Sequence, residues 1–146
     1  MNGAQFMMYK FRSMEFSKSK KDEVFLTQSP DPRVTKFGNF IRKFRIDEVP
    51  QFINVLEGDM SIIGPRPELP FYVSKHNKQI PLYSKRFRIK PGITGLAQVK
   101  QLFHDSVTNI SKKLEYDLYY LENMSLKLDL KILLATIYTV LARRGG

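Results

Sequence analysis

Apolar residues spaced three and four positions apart predict that most of this chain is helical. Between 35 and 44 this spacing follows a proline-rich turn, and Thr35 can serve as the N-cap of the helix. Comparable or weaker helical spacing is found at 47–56, 71–78, 111–121 and 126–143. The last of these segments follows Ser125, a second residue suited to an N-cap.

The helix predicted at 47–56 contains a proline, which restricts where it can begin. Pro50 has no N–H group, so it is tolerated only in the first turn, and this places Asp47 at the N-cap. The apolar positions of this helix are then expected to form its buried stripe: Val49, Phe52, Ile53 and Leu56.

Three short segments have the composition of strands, namely 5–12, 24–27 and 88–99. The intervening segment SIIGPRPELP (61–70) is rich in proline and is expected to be irregular. We therefore predict an α+β fold over residues 1–146, a helix-rich single domain with a small β-sheet built from the three segments.

Composition narrows the functional classes. The chain of 146 residues has 24 Lys and Arg and 14 acids, so its net charge is +10. This charge indicates an anionic partner: a nucleic acid, an anionic membrane surface or a phosphorylated small molecule. The absence of cysteine excludes disulfides and thiolate metal sites. His76 and His104 lack ligand spacing and are expected in loops or on the surface, which argues against a histidine-based metal hydrolase. No apolar window reaches the roughly 18 residues of a membrane span.

Candidate chemistry is concentrated at two adjacent acids, Asp47 and Glu48, which follow Arg42 and Arg45. Free N–H groups at a helix start and nearby arginines favour ionised carboxylates. An ionised carboxylate can act as a nucleophile, and a neighbouring one can bind Mg2+ together with substrate phosphates. On local pattern alone, however, helix capping is the more common role of such acids.

Four motifs in order extend this interpretation over nearly the whole chain. They are YKFRSM (9–14), DPRVTKFGNFIRKFRIDEVPQFINVLEGDMSIIGPRPE (31–68), KPGITGLAQV (90–99) and LEYDLYYLENMSLKLDLKILLATIYTVL (114–141). In these motifs the chain resembles the catalytic domain of the bacterial sugar transferases, the monotopic polyprenyl-phosphate phosphoglycosyl transferases. The resemblance implies a membrane-associated catalytic domain.

The resemblance also implies a reaction and a location. Such enzymes transfer a sugar-1-phosphate from a UDP-sugar to undecaprenyl phosphate through a covalent phosphosugar-aspartate, release UMP, and so initiate exopolysaccharide, capsule, O-antigen or related glycan synthesis. They work at the cytoplasmic face of the bacterial inner membrane. Family members carry a membrane helix upstream of the first motif, so this chain is expected to be an N-terminally truncated catalytic domain.

Carried over by motif, the resemblance implies that Asp47 is the nucleophile and that Glu48 is catalytic and binds Mg2+. It implies substrate-binding roles for five further residues: Lys10, Arg42, Arg66, Arg86 and Asp117. The match at Arg86 is looser than the others. The stretch 100–110 differs between subgroups, so the sugar remains open.

Two other functions stay open at this stage. A catalytically inactive fragment of such an enzyme would keep every motif, and a basic nucleic-acid-binding module would explain the net charge. Separately, the basic, amphipathic segment 35–45 is a candidate for contact with a membrane surface. Its apolar residues could equally pack in the core.

Overall fold

The computed structural model describes residues 3–15, 31–100 and 107–142. The described helices are α1 (Lys36–Lys43), α2 (Gln51–Glu57), α3 (Pro70–Gln79), α4 (Leu96–Lys100), α5 (Val107–Glu122) and α6 (Leu126–Leu141). The strands are β1 (Ser61–Ile63) and β2 (Gly92–Thr94), and two 3₁₀ helices cover Ile46–Glu48 and Tyr83–Arg88. The α+β, helix-rich class is confirmed. Nowhere in the described residues does a helix combine the length and apolar character needed to cross a membrane.

The sheet differs from the one predicted. β1 and β2 pair in parallel, with Ser61 opposite Gly92 and Ile63 opposite Thr94. The segment 5–12 is not a strand, 24–27 lies outside the described residues, and β1 falls in a stretch predicted to be irregular. Strands of three residues flanked by glycines and prolines are too short to show an alternating pattern, so sequence periodicity does not detect them.

Residues 3–15 form no named strand and are held by side chains and loops. The Tyr9 N–H donates to Asn54 Oδ1 (3.0 Å), and Asn54 Nδ2 donates to the Met7 carbonyl (2.8 Å). The Phe11 N–H donates to the Asp47 carbonyl at 3.0 Å. The strand predicted at 5–12 is therefore wrong, and the docking of this segment brings Lys10 to the acid pair.

The start of the second helix also differs from the prediction. Helix α1 has the expected cap, since Thr35 Oγ1 accepts from the Gly38 N–H at 2.8 Å. Asp47, however, is not an N-cap: it lies inside the 3₁₀ helix, and α2 begins only after Pro50, which takes the N-cap position. Proline at this position loses no helical hydrogen bond, so the chain reaches α2 through a separate turn.

The stripe predicted to be buried in α2 is exposed. Val49, Phe52 and Ile53 keep about half of their surface accessible (50%, 49% and 48%), and Leu56 keeps 88%. Helix α2 instead buries Gln51 and Asn54. The polar face turns inward because Asn54 holds residues 3–15, and the apolar face is left outside.

Two apolar clusters hold the helices together. One joins Ile63, Leu96, Tyr120 and Ile132 from β1, α4, α5 and α6. The other joins Ile80, Tyr83 and Leu114 next to α3. Helix α6 begins as predicted, with Ser125 Oγ accepting from the Leu128 N–H (3.3 Å). One face of α6 is left outside the core, where six side chains are more than half exposed: Leu126, Leu130, Leu134, Ile137, Tyr138 and Leu141.

Candidate active site

Glu48 is the centre of a cluster of cations drawn from three segments. Its Oε1 lies 2.9 Å from Arg66 Nη2 and 3.4 Å from Lys10 Nζ, and its Oε2 lies 3.3 Å from Arg45 Nη1. Glu48 is only 6% exposed, whereas Arg66 and Lys10 reach the surface. The docked N-terminal segment supplies Lys10, the N-cap position of the 3₁₀ helix supplies Arg45, and the loop after β1 supplies Arg66.

Charge in this cluster is unbalanced toward the positive. Burial of Glu48 opposes its ionisation, but the charges of Arg66, Lys10 and Arg45 outweigh burial and hold its pKa at about 2. Burial and the charge of Arg66 lower the pKa of Lys10. Three cations around one carboxylate suit a phosphate or diphosphate group, which arginine contacts through paired N–H donors.

Asp47 lies at the edge of this cluster and is partly exposed. Burial and the charge of Glu48 raise its pKa, against the opposing charges of Lys10 and Arg42. The expectation that the local environment favours its ionised form is therefore wrong in direction, because partial burial and the neighbouring carboxylate outweigh Lys10 and Arg42. Arg42, in the last turn of α1, is close enough to act on Asp47 electrostatically.

The structure places Arg86 and Asp117 elsewhere. They form a buried ion pair, with 2.9 Å between Arg86 Nη2 and Asp117 Oδ2 and side chains only 5% and 4% exposed. Arg86 also donates to Glu68 Oε1 (3.0 Å), and its Nη2 donates to the Arg66 carbonyl (3.0 Å). Through that carbonyl the pair is connected to the loop that carries Arg66. The structure thus gathers Lys10, Asp47, Glu48 and Arg66, with Arg42 nearby, and holds the other two behind them.

The partners of this ion pair were not predicted from the sequence. Tyr83, 2% exposed, donates to Glu68 Oε2 at 2.5 Å, and His76 Nδ1 lies 3.1 Å from the same oxygen. His76 is 6% exposed, so its expected place in a loop or on the surface is wrong; His104 lies outside the described residues. The position of Glu68 directly after the PRP motif could have indicated a role for it. The residues next to His76 and Tyr83 in the sequence contain no pattern that predicts their burial.

A cavity of about 210 Å³ opens beside Glu48. Glu48 and Arg45 line it together with residues from the end of α1, the start of α2, β2, α4 and the C-terminal half of α6. Most of its wall is apolar or carries threonines. The cavity could not be predicted from the sequence, because its walls come from segments up to 96 positions apart in the chain, from Phe44 to Val140.

The donor set limits how a metal ion could be held. Among the described residues, no three acidic or histidine side chains form a group able to hold a metal ion. Both oxygens of Glu48 already face cations. The carboxylates of Asp47 and Glu48 therefore fit a Mg2+ that is bound by one or two carboxylates and completed by substrate phosphates, and they do not fit an all-protein cage.

Comparison with known proteins identifies the class. The family profile described as "Bacterial sugar transferase" matches residues 1–143. The chain belongs to the bacterial sugar transferase family, as its motifs predicted.

Several curated relatives are similar to this chain in sequence. A UDP-N-acetylgalactosamine-undecaprenyl-phosphate N-acetylgalactosaminephosphotransferase of Aeromonas hydrophila is 46% identical over 97% of this chain and 33% of its own length. A UDP-glucose:undecaprenyl-phosphate glucose-1-phosphate transferase of Escherichia coli (strain K12) is 42% identical over 94% of this chain and 30% of its own length. The uncharacterized sugar transferase EpsL of Bacillus subtilis (strain 168) is 42% identical over 99% of this chain and 67% of its own length. The chain thus spans about a third of the length of the first two relatives.

Proposed function

We propose that this chain transfers a sugar-1-phosphate from a UDP-sugar to undecaprenyl phosphate, or a related polyprenyl phosphate, and releases UMP. The observation that carries the proposal is the convergence of Lys10, Arg45 and Arg66 on Glu48, directly beside Asp47. The names of the relatives support the donor and acceptor classes, since they specify UDP-sugars and undecaprenyl phosphate. The product would initiate exopolysaccharide, capsule, O-antigen or a related glycan.

The proposed reaction has two displacements at one phosphorus atom. In the first, an Asp47 carboxylate oxygen attacks the sugar-bearing phosphorus of the donor, the bond to the UMP oxygen breaks, and UMP leaves. In the second, an oxygen of the acceptor phosphate attacks the same phosphorus and breaks its bond to Asp47. The sugar diphosphate lipid forms, and the Asp47 carboxylate is regenerated.

The cations around Glu48 make these displacements electrostatically feasible. A carboxylate must approach an anionic diphosphate, and Lys10, Arg45 and Arg66 supply the compensating charge. Arg42 acts on Asp47 from α1. We assign Arg86 and Asp117 an indirect part in substrate binding, since Arg86 holds the main chain of Arg66.

We include Mg2+ as the cofactor, held by Glu48 with substrate phosphates. Phosphates that draw Lys10, Arg45 and Arg66 toward themselves would free the oxygens of Glu48 for the metal. When bound, the ion would neutralise phosphate charge facing Asp47.

A membrane surface is the third proposed partner, at the cytoplasmic face of the bacterial inner membrane. Phe37, Phe40 and Leu56 are 69%, 54% and 88% exposed on α1 and α2, and α1 also carries Lys36, Arg42 and Lys43. An apolar face flanked by cations suits the interface of an anionic bilayer, where each cation near the surface contributes about 1 kcal/mol.

The reaction is tested by nucleotide release from the Asp47→Asn variant. With Mg2+, undecaprenyl phosphate in detergent and a panel of UDP-sugars, the unaltered chain should release UMP with at least one sugar. The variant should be slower by about a thousandfold or more, because the amide cannot serve as the nucleophile. Intact-protein mass spectrometry should show a sugar-phosphate adduct on the unaltered chain and none on the variant.

The matched control is Asp59→Asn, which makes the same change at an exposed acid just beyond α2. It should release UMP at the normal rate, and EDTA should stop that release. Undiminished UMP from Asp47→Asn would contradict the nucleophile assignment, and UDP in place of UMP would indicate a different glycosyl transfer. A folded chain that releases neither would favour the inactive fragment.

A further inference from the structure

We propose that the cavity beside Glu48 binds the phosphate-proximal isoprene units of the acceptor lipid. This inference rests on the proposed function, because it places the acceptor's hydrocarbon next to the cations that would hold its phosphate. It adds a subsite, lined by residues of α2, β2, α4 and α6 and by the end of α1, that the chemistry of the acid pair does not itself require.

The cavity connects the charged cluster to an apolar wall. Glu48 and Arg45 line it, and so do Phe44, Val49 and Phe52. At about 210 Å³ it is smaller than the roughly 300 Å³ at which small-molecule pockets begin, so it suits one part of a larger ligand. An amphiphile with an anionic head and an apolar tail matches both parts of this lining.

The threonines in the cavity wall do not require a polar ligand. The hydroxyl of Thr136 donates to the Ile132 carbonyl and that of Thr139 donates to the Ala135 carbonyl, each at 2.8 Å. Thr94 and Thr136 hydroxyl oxygens are 2.7 Å apart, so Thr94 donates to Thr136, whose own proton is already used. Because these donors are satisfied within the protein, the wall accepts hydrocarbon without leaving a donor unpaired.

The apolar wall also leads to the protein surface. The Phe44 ring lies 5.1 Å from the ring of Phe40, centroid to centroid, and Phe40 is 54% exposed. Val49 and Phe52 are themselves half exposed. A polyprenyl chain longer than the cavity therefore has an apolar exit along α1 and α2, the surface proposed to face the membrane.

One polar atom in the cavity wall favours a different ligand, the UDP-sugar donor. Gln98 Nε2 donates to the Ile93 carbonyl (3.0 Å), but its Oε1 is buried and accepts no hydrogen bond within the described part of the chain. A sugar hydroxyl or a uracil imide could donate to it, whereas an isoprene unit could not. The test must therefore separate acceptor from donor in the same cavity.

Photo-crosslinking separates them without requiring turnover. The unaltered chain in detergent is irradiated with a short prenyl phosphate that carries a diazirine on its first isoprene unit, and labelled peptides are mapped by mass spectrometry. We expect labels among 136–140 or 49–52, reduced at least fivefold by unlabelled farnesyl phosphate and unchanged by UDP-glucose. Protection by UDP-glucose but not by farnesyl phosphate would overturn the proposal, and so would labels confined to the exposed face of α6.

Kinetics of a filled cavity give the second test. In Thr139→Phe the larger side chain should raise the KM for the polyprenyl phosphate at least tenfold, while UMP release in the first displacement stays within twofold. The control is Leu130→Phe on the opposite face of α6, where Leu130 is 58% exposed and outside the cavity. Loss of first-step UMP release in Thr139→Phe would overturn the lipid assignment in favour of the donor.

The two proposals fail differently. If the unaltered chain releases no UMP, the proposed reaction fails, and crosslinking still decides whether the cavity takes a prenyl phosphate. Another outcome is that UMP is released normally while the prenyl phosphate does not label the cavity and Thr139→Phe does not change the KM for the polyprenyl phosphate. In that case the proposed reaction stands and the cavity assignment falls.

Discussion

Asp117 titrates far from its ordinary range because it is buried beside a shared partner. Burial raises its pKa to about 6 and outweighs the attraction of Arg86, which also pairs with Glu68. Its ordinary value is near 3.8, so between pH 4 and 6 the folded chain binds more protons than the unfolded chain. The contribution of Asp117 to the free energy of unfolding is therefore present at low pH and is lost as pH rises through about 6.

Asp117→Asn isolates this effect. The unfolding free energy of the unaltered chain, relative to the variant, should fall by on the order of 3 kcal/mol between pH 4 and 7, at about 1.4 kcal/mol per pKa unit. Denaturant titrations at three pH values measure it. The control is Glu115→Gln, an exposed acid on the same helix, and a difference that does not change with pH would refute the shift.

At the scale of single residues, the motifs indicated some of the side chains that meet. Lys10 comes from the first motif and Glu48 and Arg66 from the second, and Glu48 Oε1 lies 3.4 Å from Lys10 Nζ and 2.9 Å from Arg66 Nη2. The burial of Arg86 and Asp117 could not be predicted, because it depends on a network of three further side chains. They are Glu68 in the loop before α3, His76 in α3 and Tyr83 in the second 3₁₀ helix. Spacing along the sequence carries no information on such a network.

At the scale of elements, the contact between residues 3–15 and α1 depends on a glycine. A Cβ at Gly38 would lie 1.8 Å from the carbonyl oxygen of Ser13. The same backbone is held by the Thr35 N–H, which donates to that oxygen at 3.2 Å. Residues 3–15 can therefore lie against α1 only where a side chain is absent.

Gly38→Ala should displace this segment without unfolding α1, since alanine is the better helix former by about 1 kcal/mol. Lys10 would then move away from Glu48, and UMP release should fall at least tenfold. Limited proteolysis should cut 3–15 faster. Asn39→Ala, at the next and exposed position, is the matched control; equal behaviour of the two variants would show that the contact is unimportant.

Most helix positions were predictable, but their faces and the strands were not. α1, α5 and α6 lie within a few residues of their predicted bounds, because each segment has helical periodicity and because α1 and α6 also have N-caps. In α2 the periodicity was present but the burial was inverted: Asn54 is fully buried and Leu56 is 88% exposed. A periodic stripe indicates a helix face, and only the surroundings decide whether protein or another apolar phase covers it.

At the scale of the whole molecule, excess positive charge and outward apolar side chains occur together. A net charge of +10 attracts any polyanion, including duplex DNA, through forces that salt weakens. Exposed Phe37 and Leu56 add nothing to that attraction, but they stabilise contact with a bilayer by removing apolar surface from water. Their contribution therefore distinguishes a membrane partner from a nucleic acid.

The double variant Phe37→Glu/Leu56→Glu tests this distinction in vesicle co-sedimentation. The unaltered chain should bind phosphatidylglycerol-containing vesicles more tightly than phosphatidylcholine vesicles, and 0.5 M salt should weaken that binding without abolishing it. Each apolar side chain removed from the interface costs about 2 kcal/mol, so the variant should bind at least tenfold more weakly, while binding to duplex DNA changes far less. Leu126→Glu, at an equally exposed leucine of α6, is the control. If it weakens vesicle binding as much as the double variant does, α6 and not the α1–α2 surface faces the membrane, and the lipid exit proposed along α1 and α2 would have to be abandoned.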